Sequence, residues 1–242
     1  MFINIEDINI NYIQYGEGPD IILLHGWGQN IEMMKPIGDN LCKNNRITIL
    51  DLPGFGKSDE PKKVLTVSDY SRILEKFVKE LKIKNPTIIA HSFGGRISYV
   101  YASKNKVNKL VLLAAPMIKR IENESLKTKI LKSLAKVPVL NKTKDFFKKY
   151  IGSSDYKNAS PIMREILVDV VNTDLVEYAK KITAPTIYII GTEDKAVSVD
   201  EAKIVEKTIN NCGLIIYEGF THYAYLEDLN RTIAIINNFL GG

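Results

Sequence analysis

The sequence predicts an α/β protein: a mostly parallel sheet with helices on both faces and a helical segment inserted before the last two strands. Three observations carry this expectation. Short, nearly continuous apolar runs alternate with amphipathic stretches of helical period, the pattern of strands buried on both faces. The alternation stops between Met117 and Ile182, where no run reads as a strand, and then resumes. The composition, 45% hydrophobic and 25% charged in 242 residues, suits a globular chain long enough to bury one large core.

Each element follows from its local pattern. Ile3, Ile5, Ile8, Ile10 and Tyr12 alternate around Glu6-Asp7, which reads as a hairpin with one buried face. Ile21–Leu24 is a strand, Ile31–Lys43 a helix and Arg46–Leu50 a strand, followed by a Gly- and Pro-rich loop. Ser68–Leu81 is an amphipathic helix. Thr87–Ala90 is a strand running straight into a helix over Phe93–Ser103, and Lys109–Ala114 is again a strand. In the interruption, Leu126, Ile130, Leu131 and Leu134 repeat at helical spacing, and helices are expected over Lys142–Ile151, Pro161–Val171 and Asp174–Lys180. Pro185–Ile190 (strand), Val199–Ile209 (helix), Gly213–Tyr217 (strand) and Leu226–Leu240 (helix) complete the chain. The expected organisation is a core of residues 1–117 and 182–242, with residues 118–181 inserted as a helical cap.

Several function classes are excluded. The longest apolar run, Leu110–Ile118, is too short to cross a bilayer. The N-terminal residues carry Glu6 and Asp7 and no basic region, unlike a secretory signal. Cys42 and Cys212 make neither a disulfide framework nor a metal knuckle, so a cytoplasmic location is expected. No Cys, His or carboxylate cluster has metal-ligand spacing, and no cofactor is called for. Asp51–Ser58 lacks the glycine spacing and the ending of a phosphate loop. Nothing points to nucleic acid.

The chemistry concentrates at strand ends. His91-Ser92-Phe93-Gly94-Gly95 sits where a strand turns into a helix, which exposes a serine hydroxyl at the carboxyl edge of the sheet. Such a turn needs small neighbours two residues either side of the serine. Ala90 and Gly94 supply them, although glycine is usual at the first place. A Gly-Gly pair that merely starts a helix would look the same, so the motif alone decides little. Serine needs a base, and the chain has three histidines. His25 falls in the His-Gly-Trp-Gly loop after a strand. His91 adjoins the serine and should project away from it. His222 follows the last strand in a loop opening at the same edge, so it is the base by elimination. Asp194, after the penultimate strand, is the choice to hold the tautomer of that base, with Glu193 as runner-up. The chain order Ser, Asp, His matches triads on doubly wound hydrolase sheets. Backbone N–H groups of Trp27 and Phe93 would form the oxyanion hole. His25, Gly26 and Gly95 would support the loop and the elbow, with His25 tying the loop down by hydrogen bonding.

Leu24-His-Gly-Trp-Gly28, Asp51-Leu-Pro-Gly-Phe-Gly-Lys-Ser58, Ala90-His-Ser-Phe-Gly-Gly95, Gly191-Thr-Glu-Asp194 and His222 together resemble the α/β-hydrolase superfamily. The resemblance spans the core and implies an eight-stranded, mostly parallel sheet under a helical cap. Within the superfamily, the segments around Trp27–Asn30 and Asp51–Ser58 are similar to pimeloyl-[acyl-carrier-protein] methyl ester esterases and related carboxylesterases. The resemblance implies a serine carboxylic ester hydrolase acting on a small acyl ester. Thioester, lactone and carbon–carbon bond hydrolases of the same fold remain alternatives, as does a ligand receptor with little turnover.

Charge adds one candidate partner. The formal net charge is +5, yet residues 118–150 alone hold ten Lys or Arg against three acids, leaving a slightly acidic remainder. A solvated lid in a lysine-rich chain explains this. That reading is favoured, because charge runs usually mark exposed faces; a dock for an acidic acyl-carrier protein or an anionic lipid surface is the sharper alternative.

Overall fold

The computed structural model describes residues 1–119 and 159–241. Its centre is an eight-stranded sheet in the order β1-β2-β4-β3-β5-β6-β7-β8. The strands are β1 (Phe2–Ile5), β2 (Ile8–Tyr15), β3 (Asp20–Leu24), β4 (Arg46–Leu50), β5 (Thr87–His91), β6 (Leu110–Leu113), β7 (Thr186–Gly191) and β8 (Cys212–Tyr217). The β1–β2 and β2–β4 pairs are antiparallel; every later pair is parallel. This is the α/β-hydrolase architecture expected from the sequence.

The strand alternation sorts side chains onto two cores. Ile22, Leu24, Ile88 and Ala90 join one cluster, while Ile21, Leu23 and Ile89 join the other. The first face is covered by α2 (Val67–Glu80), α3 (Phe93–Ala102), α4 (Pro161–Asn172), α5 (Val176–Ala179) and α6 (Val199–Thr208). The second is covered by α1 (Ile31–Leu41), α7 (Ala224–Glu227) and α8 (Leu229–Leu240). The central strands are buried on both faces, which is why their runs are apolar without alternation.

Helix starts follow their caps. The Asn30 side chain accepts from Glu32 N at 2.9 Å and so begins α1. Thr66 and Asp69 form a reciprocal capping box at α2, an arrangement worth about 1 kcal/mol per cap. Helix α4 starts with Ser160 as cap and Pro161 in its first turn. The expected helices over Pro161–Val171 and Asp174–Lys180 correspond to α4 and the shorter α5. Those around Leu126–Leu134 and over Lys142–Ile151, with most of the basic segment, lie outside the described residues. Met163, Ile166, Val170 and Leu175 are buried in the same cluster as the sheet, so this part of the segment packs on the core. Among the described residues no helix is long and apolar enough to cross a membrane.

Candidate active site

The carboxyl ends of β3, β5, β7 and β8 gather the residues singled out from sequence. Ser92 stands between β5 and α3 with φ +48° and ψ −107°, a left-handed conformation that a side chain adopts only under constraint. The constraint comes from both sides. Ser92 N donates to Leu113 O at 2.9 Å, and Gly94 N donates to His25 O at 3.1 Å. A Cβ on Gly94 would lie 2.6 Å from Leu24 O and 2.8 Å from His25 O, so only glycine lets α3 start this close to β3. Ala90 is buried within β5, opposite Leu24 and Leu112. Its methyl fits where glycine is usual.

Asp194 follows β7 and His222 follows β8. The His222 Nδ1 to Asp194 Oδ2 distance is 2.7 Å. The other carboxylate oxygen, Oδ1, accepts from Ala196 N at 2.6 Å and Val197 N at 3.0 Å. The Asp194 side chain is fully buried and that of His222 is 18% exposed. Thus a turn of backbone N–H groups aims one carboxylate oxygen at the imidazole, whose Nδ1 must donate. Glu193, by contrast, is exposed. The two loops meet because Gly191 has no side chain: a Cβ there would lie 2.0 Å from Phe220 O.

Ser92 and His222 line one cavity, together with Gly26, Trp27, Gln29, His91, Phe93 and Arg96. Among the described residues the Ser92 hydroxyl makes no hydrogen bond, and neither does the N–H of Trp27 or of Phe93. Leu167, Val170 and Val171 of α4 form an apolar wall. The Trp27 indole packs edge-on against Phe55 (4.9 Å) and Phe93 (5.3 Å).

His25 bridges two loops through its ring. Its Nδ1 donates to Gly26 O at 2.7 Å, and its Nε2 accepts from Leu52 N at 2.9 Å. Burial pushes its pKa down to about 4, so it is a neutral imidazole. His91 is placed on the cavity, its ring 4.8 Å from that of His222. Burial, and then the neighbouring His222, hold it well below the usual histidine range.

Three further residues, two lining the cavity and one beneath the neighbouring loops, escaped sequence reasoning. Gln29 accepts from Gly26 N at 2.9 Å and meets His91 Nδ1 at 3.1 Å. Arg96, buried in α3, donates to the carbonyls of Pro116 and Thr173, bracketing the segment between β6 and α5. Asp51 is buried, accepting from Ile31 N, Asn11 Nδ2 and Lys57 N at 2.8 Å each. Only Asp51 left a trace in the sequence, as the first residue of the Asp-Leu-Pro-Gly-Phe-Gly stretch. Among the described residues no three His, Cys, Asp or Glu side chains cluster as metal ligands.

Comparison with known proteins points to the same fold. Residues 19–134 match the family model described as "alpha/beta hydrolase fold". A pimeloyl-[acyl-carrier protein] methyl ester esterase of Legionella pneumophila (strain Paris) is 25% identical over 248 residues, covering 96% of this chain and all of that protein. An esterase from Exiguobacterium antarcticum superposes with TM-score 0.80 at 20% identity, covering 100% of this chain and 99% of that one. The enol-lactonase from Burkholderia xenovorans LB400 superposes with TM-score 0.79 at 17% identity, each chain covered completely.

Proposed function

Because this chain has the α/β-hydrolase fold, we propose that it cleaves carboxylic esters through an acyl-enzyme formed on Ser92. The observation that carries the reading is the 2.7 Å contact between His222 Nδ1 and a buried Asp194 whose other oxygen is held by two backbone N–H groups. That arrangement leaves Nε2 of His222 as the proton acceptor. His222 takes the Ser92 proton as Oγ attacks the ester carbonyl. The N–H groups of Trp27 and Phe93, with no acceptor of their own among the described residues, are donors for the developing oxyanion. His222 then gives the proton to the leaving alkoxide. Water, deprotonated by the same ring, attacks the acyl carbonyl and releases the acid and Ser92. The hydroxyl-to-imidazole bond closes with substrate bound, as is common for such pairs.

Residues 118–181 act in this reading as the lid, supported by the α4 side chains along the cavity wall. Replacement of Ser92 by Ala lowers kcat towards p-nitrophenyl acetate by at least ~10³-fold, and a fluorophosphonate labels the parent protein at Ser92. Retained turnover in the variant excludes the assignment. Strong labelling with no turnover of any ester favours a ligand receptor instead.

The natural ester is one carried by an acidic acyl-carrier protein, a reading supported by the charge of residues 118–150 and by the name of the Legionella relative. Reversing Lys127, Lys129 and Lys132 raises KM for a carrier-bound ester at low salt and leaves small esters unchanged. An equal response of both substrates reduces the charge to solvation.

A further inference from the structure

His91 is the one histidine to which neither the loop architecture nor the proposed chemistry gives a task. Its position is unusual in what it reaches. The backbone of His91 ends β5, in register with Leu113, and is bonded directly to Ser92. Its ring is completely buried. Nε2 lies 3.1 Å from the main-chain carbonyl of His222, and Nδ1 lies 3.1 Å from Gln29 Oε1. That amide oxygen in turn accepts the N–H of Gly26, the residue before Trp27. The ring also contacts His222 and Tyr225, both at 4.8 Å. One side chain therefore touches the loop of the base and the loop of the oxyanion donor while its own backbone holds the nucleophile.

We propose that His91 is a positioning residue that sets the distance between Ser92 and His222 by gripping the His222 carbonyl. The proposal rests on the esterase reading above. A neutral imidazole has one N–H for two oxygens. The His222 carbonyl has no other donor among the described residues, whereas Gln29 Oε1 already takes the Gly26 N–H. The proton thus belongs on Nε2, which donates to the His222 carbonyl, while Nδ1 then meets Gln29 Oε1 with no hydrogen between them; the grip on the base loop is the hydrogen bond of the two. Without it the His222 loop keeps the bonds of Phe220 O with Glu193 N and of Thr221 with Glu227, but among the described residues His222 itself is held through the Asp194 contact and ring packing. The base can then drift relative to a serine that cannot follow, because Ser92 is fixed by the sheet. Displacement of a catalytic group by about 1 Å costs on the order of 10²-fold in rate.

Three variants at this position separate the roles. His91→Phe keeps a ring in the stack and removes both polar contacts. His91→Gln places an amide near the former Nε2, and His91→Asn places one near the former Nδ1. With p-nitrophenyl acetate, His91→Phe lowers kcat about 10²-fold while KM moves less than roughly threefold. His91→Gln restores at least roughly tenfold of that loss and His91→Asn does not. If His91→Phe does not fold, the Gln and Asn pair decides by the same ordering. Wild-type kcat in His91→Phe, or equal kcat for the Gln and Asn variants, overturns the proposal. Failure of the esterase reading is separate: it appears as turnover retained by Ser92→Ala, whereas an inactive Ser92→Ala beside a fully active His91→Phe removes only this inference.

Discussion

His25 and His222 occupy equivalent places: each lies in a loop beyond the carboxyl end of a strand, at the same edge of the sheet. Their surroundings separate them. His25 is completely buried, and the backbone satisfies both ring nitrogens, one donating to Gly26 O and one accepting from Leu52 N. His222 is partly exposed, has its Nδ1 engaged by Asp194, and faces a cavity with the rest of its ring. A histidine whose two nitrogens are spent on backbone is a brace between loops. One held by a single nitrogen is available for chemistry. The difference lies in the second nitrogen.

The sharpest way to break this comparison is to remove the group that engages His222. Asp194→Asn lowers kcat by about 10⁴-fold, because an amide donor there favours the wrong tautomer. Glu193→Gln, on an exposed side chain, changes kcat less than roughly threefold. The opposite ordering in steady-state ester hydrolysis would exchange their roles. His25→Ala is expected to act on the other property: it orphans Leu52 N and leaves a void, costing about 2–4 kcal/mol of unfolding free energy in urea titration. A His25→Ala protein as stable as the parent would contradict the brace.

A smaller effect is the response to pH. His25 is depressed from 6.5 to about 4 in the fold, so between those values the unfolded chain binds a proton that the folded chain does not. Stability from this group is therefore complete above about pH 6.5, declines as the pH falls towards 4, and is level below that. The full span is on the order of 3 kcal/mol, and buried His91 contributes with the same sign. Chemical denaturation across pH 4–7.5 shows a positive slope with rising pH if this is correct, and the slope shrinks in His25→Ala.

Much of this was legible in the residues themselves. Strand positions followed from apolar runs, because strands covered on both faces have no polar side to confuse the pattern. Ser92, Asp194 and His222 could be picked out because each lies within a few residues beyond the carboxyl end of a strand, and strand ends at one edge converge. The contacts of His91 could not be foreseen. Adjacent residues diverge at a strand end, which says where His91 does not point but not what it meets. The meeting with His222, 131 positions along the chain, depends on how the last loop folds back. Gln29 and Arg96 were silent for a related reason: apart from the Gln29 contact with His91, the partners named above are backbone carbonyls and N–H groups, which every sequence contains everywhere.

Asp51 has one more consequence. Its carboxylate joins the amide that opens α1, the amide of Lys57 and the side chain of Asn11 on β2. Three segments far apart in the chain thus close on a single anion. They cannot open one at a time without stranding a charge in the interior, so their local unfolding is a shared event. In native-state hydrogen exchange the amides of Ile31 and Lys57 would report one common opening free energy, and Asp51→Asn would split it into two.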